Sequence, residues 1–405
     1  MRIAFTCNGP GETAGWLRPL LRELYARQAD IDASVFFVPD DYATGREPEM
    51  IARRFPQLRV VPVKEYVKVA LGGRKTNLPD RFDAVQYLGG DLMHASRIAK
   101  RFDARPTTYK FSRKKYAGFF RRAYAVDAAN EDQLRAWGTP SGQIKRVGNL
   151  AIDGALLESS DEPEAQSPRD GILFMPGSRA HEVDNLVPFF FTVARRIRRE
   201  DPSIPIALGI SPFTPLEQVR RAVERGAYIP SFFTESGTLG KSDGGAFLMS
   251  ADGAATFPIV RNALSAARTA RLAVTIPGTK VIELAALGVP VVACTPLNQP
   301  ELITINGPLT YLNRIPLVGT PLKRAAVLAV SRRFRFHTQP NIDAGRSIVC
   351  ELRGTLTPGR VARVVLERFA DAAWLGETGR ELRELYAEHA GAASRMASDL
   401  LESFL

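Results

Sequence analysis

The sequence predicts an α/β protein of two parallel-sheet domains facing each other across a cleft. Short apolar strands alternate with amphipathic helices along most of the chain, the order that parallel βαβ units require. The alternation breaks at Glu158–Asp170, which is polar, acidic and proline-bearing and has nothing to bury. It then restarts with the same strand, glycine turn and helix. A length of 405 residues suits two domains at about 100–200 residues each.

The elements follow in order. Arg2–Cys7 is a short apolar strand. Asn8–Gly15 carries Gly9, Pro10, Gly11 and Gly15 and reads as a loop. Trp16–Gln28 has apolar residues at helical spacing, namely Leu17, Leu20, Leu21, Leu24 and Tyr25. Further strands are expected at Ser34–Val38, Leu58–Val63, Ala84–Leu88, Thr107–Phe111 and Ala123–Val126. In the second half, strands are expected at Gly171–Met175, Ile204–Ile210, Leu272–Ile276 and Val291–Thr295. Helices are expected at Glu182–Arg199, Leu216–Arg225 and after Thr279. Ser231–Thr256, rich in Gly, Ser and Thr, reads equally as a hairpin or a mobile loop. The tail from Arg360 is helical. Strand, glycine turn and helix recur in both halves, which defines two Rossmann-like domains. The expected organisation is a first domain over 1–157, a linker over 158–170, a second domain over 171–365, and C-terminal helices over 366–405 that return to the first domain.

Composition narrows the class. The hydrophobic fraction is 45% and the charged fraction 24%, values of a globular chain rather than a disordered or fibrous one. No apolar run approaches the roughly 20 residues that span a bilayer, and Met1–Phe5 does not open a secretory signal. Cys7, Cys294 and Cys350 are sparse and far apart, which fits reduced thiols in a cytoplasmic setting. The four histidines form no metal-binding spacing, so no metal or resident cofactor is expected. The net charge is +11. Between Arg97 and Arg122 ten Lys and Arg face one acid, Asp103. Such a run is a solvated basic face or a surface for anionic partners. Aromatics interleave with the charges. Lys110, Arg113, Lys114, Lys115, Arg121 and Arg122, with Phe119, Phe120 and the segment Val61–Leu71, therefore fit a peripheral contact with an anionic membrane. No nucleic-acid-binding motif accompanies them.

Two turns carry the binding chemistry. Met175-Pro176-Gly177-Ser178-Arg179 leads a buried strand into a helix N-terminus, where free N–H groups and the helix dipole favour an anion. Arg179 adds a fork of donors for a phosphate. Thr275-Ile276-Pro277-Gly278-Thr279 repeats the device, with Glu283 on the same helix face to accept ribose hydroxyl protons. In the first half, Asp91 follows Gly89-Gly90 at the C-terminal end of a strand, where open α/β sheets place their ligands. It is the candidate general base. His94, one helical turn later, is a second candidate, an orienting partner or a structural histidine.

The motifs Met175-Pro-Gly-Ser-Arg179-x-x-Glu182, Val147-Gly-Asn-Leu150-x-x-Asp153, Ile276-Pro-Gly-Thr279-x-x-x-Glu283 and Gln339-Pro-Asn341-Ile-x-Ala-Gly345-Arg346 with Glu351-Leu352 resemble, in order, those of lipid-A-disaccharide synthases. The nucleotide half matches more closely than the acceptor half. The resemblance implies the GT-B architecture and inverting, metal-independent glycosyl transfer: a UDP-activated acylglucosamine donor, a lipid-linked sugar acceptor and release of UDP. It implies a place on the cytoplasmic face of the inner membrane. It also assigns Gly177, Ser178, Arg179, Gly278, Thr279, Glu283, Asn341 and Arg346 to the nucleotide, and Glu12 and Asp91 to the catalytic end. Three other readings share this plan. They are a transferase with another membrane acceptor, a UDP-aminosugar epimerase acting on a soluble sugar, and a non-catalytic binder of nucleotide sugars or lipids.

Overall fold

The computed structural model describes residues 1–28, 30–40, 43–73, 77–116, 118–160, 163–300 and 319–404. The fold is a two-domain α/β fold with one fully parallel sheet and one mixed sheet. The two compact units are Met1–Leu157 with Tyr386–Leu405, and Glu158–Leu385.

Seven parallel strands form the sheet of the first unit: β1 (Arg2–Cys7), β2 (Asp32–Phe37), β3 (Arg59–Val61), β4 (Ala84–Tyr87), β5 (Arg105–Tyr109), β6 (Arg122–Ala125) and β7 (Ile144–Arg146), in the order β3-β2-β1-β4-β5-β6-β7. Alternation along β1 and β2 divides the core. Ile3, Phe5, Cys7, Ala33, Val35 and Phe37 enter one apolar cluster, whereas Ala4 and Phe36 enter the other. Both faces are therefore covered, which is why these strands read as nearly unbroken apolar runs. The C-terminal helix Ala392–Phe404 completes the first cluster through Ala392, Met396, Ala397 and Leu400. It is held at both ends. Asp153 accepts hydrogen bonds from Gly391 N (2.7 Å) and Ala393 N (2.6 Å). The buried Asp399 carboxylate meets Tyr124 Oη, Lys145 Nζ and Arg122 Nε at 2.7–2.9 Å.

The second unit carries β8 (Ile172–Met175), β9 (Ile206–Gly209), β10 (Gly237–Ser242), β11 (Gly245–Ser250), β12 (Thr256–Val260), β13 (Leu272–Thr275), β14 (Val291–Pro296) and β15 (Cys350–Gly354), in the order β10-β11-β12-β9-β8-β13-β14-β15. Only the hairpin β10–β11 and its pairing with β12 are antiparallel. Thus Ser231–Thr256 contains a hairpin. The strands β7, β12 and β15 are not foreseen from sequence: β7 (Ile-Lys-Arg) and β15 (Cys-Glu-Leu-Arg-Gly) are short and polar, and Pro258 interrupts β12. The helix Ala180–Glu200 buries Phe189, Phe190 and Phe191 completely. Each such side chain contributes about 1.5–3 kcal/mol of apolar burial. Of the acidic segment 158–170, Asp161 and Glu162 lie outside the described residues. Farther along it, the Glu164 carboxylate accepts from Arg261 N and Asn262 N, tying this stretch to the second unit. Among the described residues no helix is long and apolar enough to cross a membrane.

Candidate active site

In the first sheet, β1 is followed by β2 on one side and bordered by β4 on the other, so the chain direction across the sheet reverses between β1 and β4. Loops leaving the carboxyl ends at such a switch diverge and leave room for a ligand. Here they are Asn8–Glu12 and Leu88–Asp91. They touch: a Cβ on Gly89 would lie 2.0 Å from Asn8 Oδ1 and 3.2 Å from Glu12 Cγ, so only glycine fits. The loop after β1 is already helical from Pro10, passing through a π-helical turn at Thr13–Leu17. Proline at the first helical position is compatible with helix, which is why the glycines here do not break it. Asn8 Nδ2 donates to Asp40 Oδ2 at 3.1 Å. Asp40, after β2, joins the cluster; sequence reasoning missed it because nothing local marks an aspartate in a Pro-Asp loop.

Asp91 is the N-cap of the helix Leu92–Arg101. Its Oδ1 accepts from Met93 N at 2.8 Å, and Oδ2 lies 3.3 Å from Arg113 Nη1. One oxygen is thus spent on orientation, while the other stays in a half-exposed ion pair. Glu12 and Asp91 both approach Tyr87: burial first, then these two carboxylates, raise the Tyr87 hydroxyl pKa far above its ordinary value. Tyr87 Oη donates to Gly90 O at 2.7 Å. The Cys7 thiol is pushed up to about 12 by burial and is inert at neutral pH.

His94 Nδ1 lies 2.6 Å from Tyr66 Oη. Tyr66 is buried on the helix Val63–Ala70, and burial keeps its hydroxyl protonated. We assign the bond as Tyr66 O–H donating to Nδ1, which leaves the imidazole proton on Nε2. Burial lowers the His94 pKa; Asp91 opposes that and Arg97 adds to it. The His94 imidazole and the Asp91 carboxyl group thus lie within one turn of the same helix.

The second sheet reverses between β8 and β13, so the two turns singled out in the sequence flank its switch point. They differ. In Gly177–Arg179 the amides are already engaged: Ser178 N and Arg179 N both donate to Glu182 Oε2 at 3.0 Å, and Arg179 Nη1 lies 3.3 Å from Glu182 Oε1. Gly177, at φ +95°, leaves the space this carboxylate fills. The Ser178 and Arg179 amides are therefore not the expected free donors for a diphosphate: Glu182 is the anion there. The helix Thr279–Ala286 has no side-chain cap at Gly278. Beside it, Lys280 Nζ lies 2.6 Å from Glu283 Oε2. Glu283 is buried, and burial raises its pKa, with Lys280 opposing. Lys280 is the residue missed in this turn; its place directly after Gly278-Thr279 was the available signal.

Asn341 is engaged by the protein's own groups. Its Oδ1 accepts from Ile348 N and Val349 N, and its Nδ2 donates to Val349 O and Glu351 Oε1. All four bonding capacities are used, so Asn341 braces the turn into β15 and keeps no bonding capacity spare for a nucleotide. Arg346 pairs with Glu381 at 2.9 Å on the surface.

The basic segment is also reapportioned. Phe120 is buried in the first unit's core, with Phe119 and Tyr116 packed against that cluster. Ring centroids of 5.3 and 5.9 Å link Phe120 to those neighbours. Phe120 is thus held by the core, and Phe119 and Tyr116 are packed on it and partly buried. Arg122 is tied to Asp399. Lys110, Arg113, Lys114, Lys115 and Arg121 remain on the surface side of this segment, Arg113 paired with Asp91 and Lys115 over the Tyr116 ring. Among the described residues, no group of three His, Cys, Asp or Glu side chains could hold a metal ion.

Fold and site together define a two-domain α/β protein of GT-B-like architecture, with one parallel and one mixed sheet. The chain is similar over 99% of its length to MnaA of S. aureus solved with UDP (12% identity, 96% of that chain, TM-score 0.60). It is similar over 99% to the UDP-GlcNAc 2-epimerase of Neisseria meningitidis bound to UDP-GlcNAc (11%, 100% of that chain, TM-score 0.55). A third likeness, again over 99%, is to the UDP-GlcNAc 2-epimerase of Methanocaldococcus jannaschii in complex with UDP-GlcNAc and UDP (12%, 100%, TM-score 0.55). No protein-family model and no curated protein matches the chain. These likenesses overturn the assignment to lipid-A-disaccharide synthases, and with it glycosyl transfer and lipid A synthesis. The motif resemblance reflects a device common to this architecture, a strand entering a glycine turn and a helix N-terminus, rather than a shared reaction.

Proposed function

We propose that the chain is a UDP-aminosugar epimerase. The observation that carries the reading is the Asp91–His94 pair at the β1/β4 switch point, a carboxylate and a neutral imidazole on one helical turn. Inverting a stereocentre requires a proton to leave one face of a carbon and another to arrive on the opposite face, hence two proton-transfer groups. Asp91 is the candidate base and His94 or Glu12 the candidate partner. The likeness to UDP-GlcNAc 2-epimerases supports the same reading, and their complexes with UDP and UDP-GlcNAc support a UDP-sugar as substrate. Gly278, Thr279, Lys280 and Glu283 are the candidate nucleotide contacts, with Arg179 and Arg346 secondary.

The test is proton NMR of UDP-GlcNAc incubated with the protein in deuterium oxide. A second sugar nucleotide and deuterium at sugar C2 are expected. Asp91→Asn lowers the rate by about 100- to 10,000-fold while UDP still binds. Absence of exchange and of any new sugar across a panel of UDP-aminosugars sinks the reading.

A further inference from the structure

A cavity of about 750 Å³ opens beside Asp91, on the side of β4 away from the switch point. Its walls come from the ends of three neighbouring parallel strands: Gly90 after β4, Phe111–Lys114 after β5, and, after β6, Gln133 of the helix Ala128–Ala136 and Trp137 at that helix's C-cap. The volume is that of a small-molecule site.

Its lining is cationic and aromatic. Among the described residues that line it, Arg113 and Lys114 are the charged ones. Arg113 shares one contact with Asp91 but keeps its side chain 59% exposed, so donors of its fork remain. Among the described residues Lys114 has no ion-pair partner. The acids on the neighbouring helix are neutralised: Glu131 by Arg135 and Arg146, and Asp132 by Arg135. Two cations on one concave wall, only one of them shared with Asp91, concentrate field on an anion.

The loop that presents this wall is strained and pinned. Lys110 sits at φ +66°, a costly conformation for a residue with a β-carbon. Lys110 N donates to Tyr124 O, Phe111 N to Tyr109 O, and Asn130 Nδ2 to Lys110 O, while Thr108 Oγ1 donates to Phe111 O. The outcome is an aromatic ring left 39% exposed, Phe111, which lines the cavity with Trp137 and has Lys110 Nζ 5.7 Å from its centroid. Nothing in the core requires that exposure. A flat apolar face of a sugar ring would cover it.

The geometry points to a substrate-selecting subsite for a negatively charged sugar: the cavity receives the carboxylate of a uronic-acid-type aminosugar on Arg113 and Lys114, with its ring against Phe111 and Trp137. This rests on the UDP-aminosugar reading and narrows it from neutral to acidic sugars.

The test is titration calorimetry of the full chain with UDP, UDP-N-acetylglucosamine and UDP-N-acetylglucosaminuronate at low salt. The acidic sugar nucleotide binds about tenfold tighter than the neutral one, the scale of one charge-assisted hydrogen bond. Lys114→Ala brings the ratio toward one and Lys114→Glu inverts it. UDP affinity stays unchanged in both variants, which also shows that they fold. Equal binding of the two sugars by the unaltered protein overturns the inference, as does a ratio that neither variant moves. In both cases UDP still binds, and the nucleotide reading stands. If UDP itself does not bind, the nucleotide reading falls and this one with it.

Discussion

At the residue scale, the Tyr66–His94 bond has a consequence in pH. The folded pKa of His94 lies below its ordinary value, chiefly through burial. The unfolded chain therefore binds more protons than the folded chain below about pH 6.5. The stability contribution is complete above that pH and is lost as pH falls through the folded pKa. His94→Gln removes this part of the acid sensitivity between pH 7 and 5 in urea unfolding. Tyr66→Phe deletes the donor that favours neutral imidazole. The His94 pKa then rises, and the acid limb of the pH–rate profile moves up with it. Nitrogen-15 shifts of the imidazole read both tautomer and pKa, and an unchanged tautomer in Tyr66→Phe rejects the positioning role. Glu182 makes a second residue-scale case. Its carboxylate satisfies two amides at a helix start, as in a capping box. Glu182→Ala costs about 1 kcal/mol in urea unfolding, and inorganic pyrophosphate binds the variant more tightly than the parent by calorimetry. If affinity is unchanged or lower, those amides are not the obstacle.

At the element scale, the C-terminal helix explains a motif that sequence reading had assigned to a family signature. Val147-Gly148-Asn149-Leu150 with Asp153 seats that helix. Asn149 N donates to His389 O at 3.0 Å. A Cβ on Gly148, at φ +99°, would lie 2.4 Å from the same oxygen. Asp153 caps the helix across a separation of 238 residues. No local pattern encodes such a contact, so the motif was visible but its purpose was not. The same limit applies to Asn341, whose partners are backbone groups of Ile348 and Val349, just before an unforeseen strand, and the Glu351 side chain within it. Elements with a strong local period, such as Leu216–Arg225 with Val219, Ala222 and Val223 inward, were legible because period and burial coincide. The clamp at the other end of the C-terminal helix gives the prediction. Asp399→Ala leaves Arg122, Lys145 and Tyr124 facing a buried gap, and costs about 3 kcal/mol. Hydrogen exchange over 392–404 accelerates accordingly; exchange equal to the parent refutes the clamp.

At the scale of the whole molecule, each sheet reverses direction beside its first strand, β1 in one and β8 in the other. That repetition was legible as two copies of strand, glycine turn and helix, because short βα turns demand glycine wherever backbone approaches a ligand or another loop. The reaction was not legible, since the same turns serve any nucleoside diphosphate. What distinguishes the turns physically is their occupancy by the protein's own groups. Glu182 fills the turn after β8, whereas the helix after β13 begins uncapped at Gly278 with Lys280 beside it. A diphosphate placed on the first must displace a carboxylate that already makes two charge-assisted bonds; on the second it meets a helix dipole and a cation. UDP at a hundred times its dissociation constant therefore stabilises the chain by about 2.7 kcal/mol, and hydrogen exchange slows at residues 279–282 while 178–180 are unaffected. In Glu182→Ala, protection extends to 178–180 as well. Protection of 178–180 in the parent, with 279–282 unchanged, reverses the assignment and makes Glu182 a gate that UDP opens.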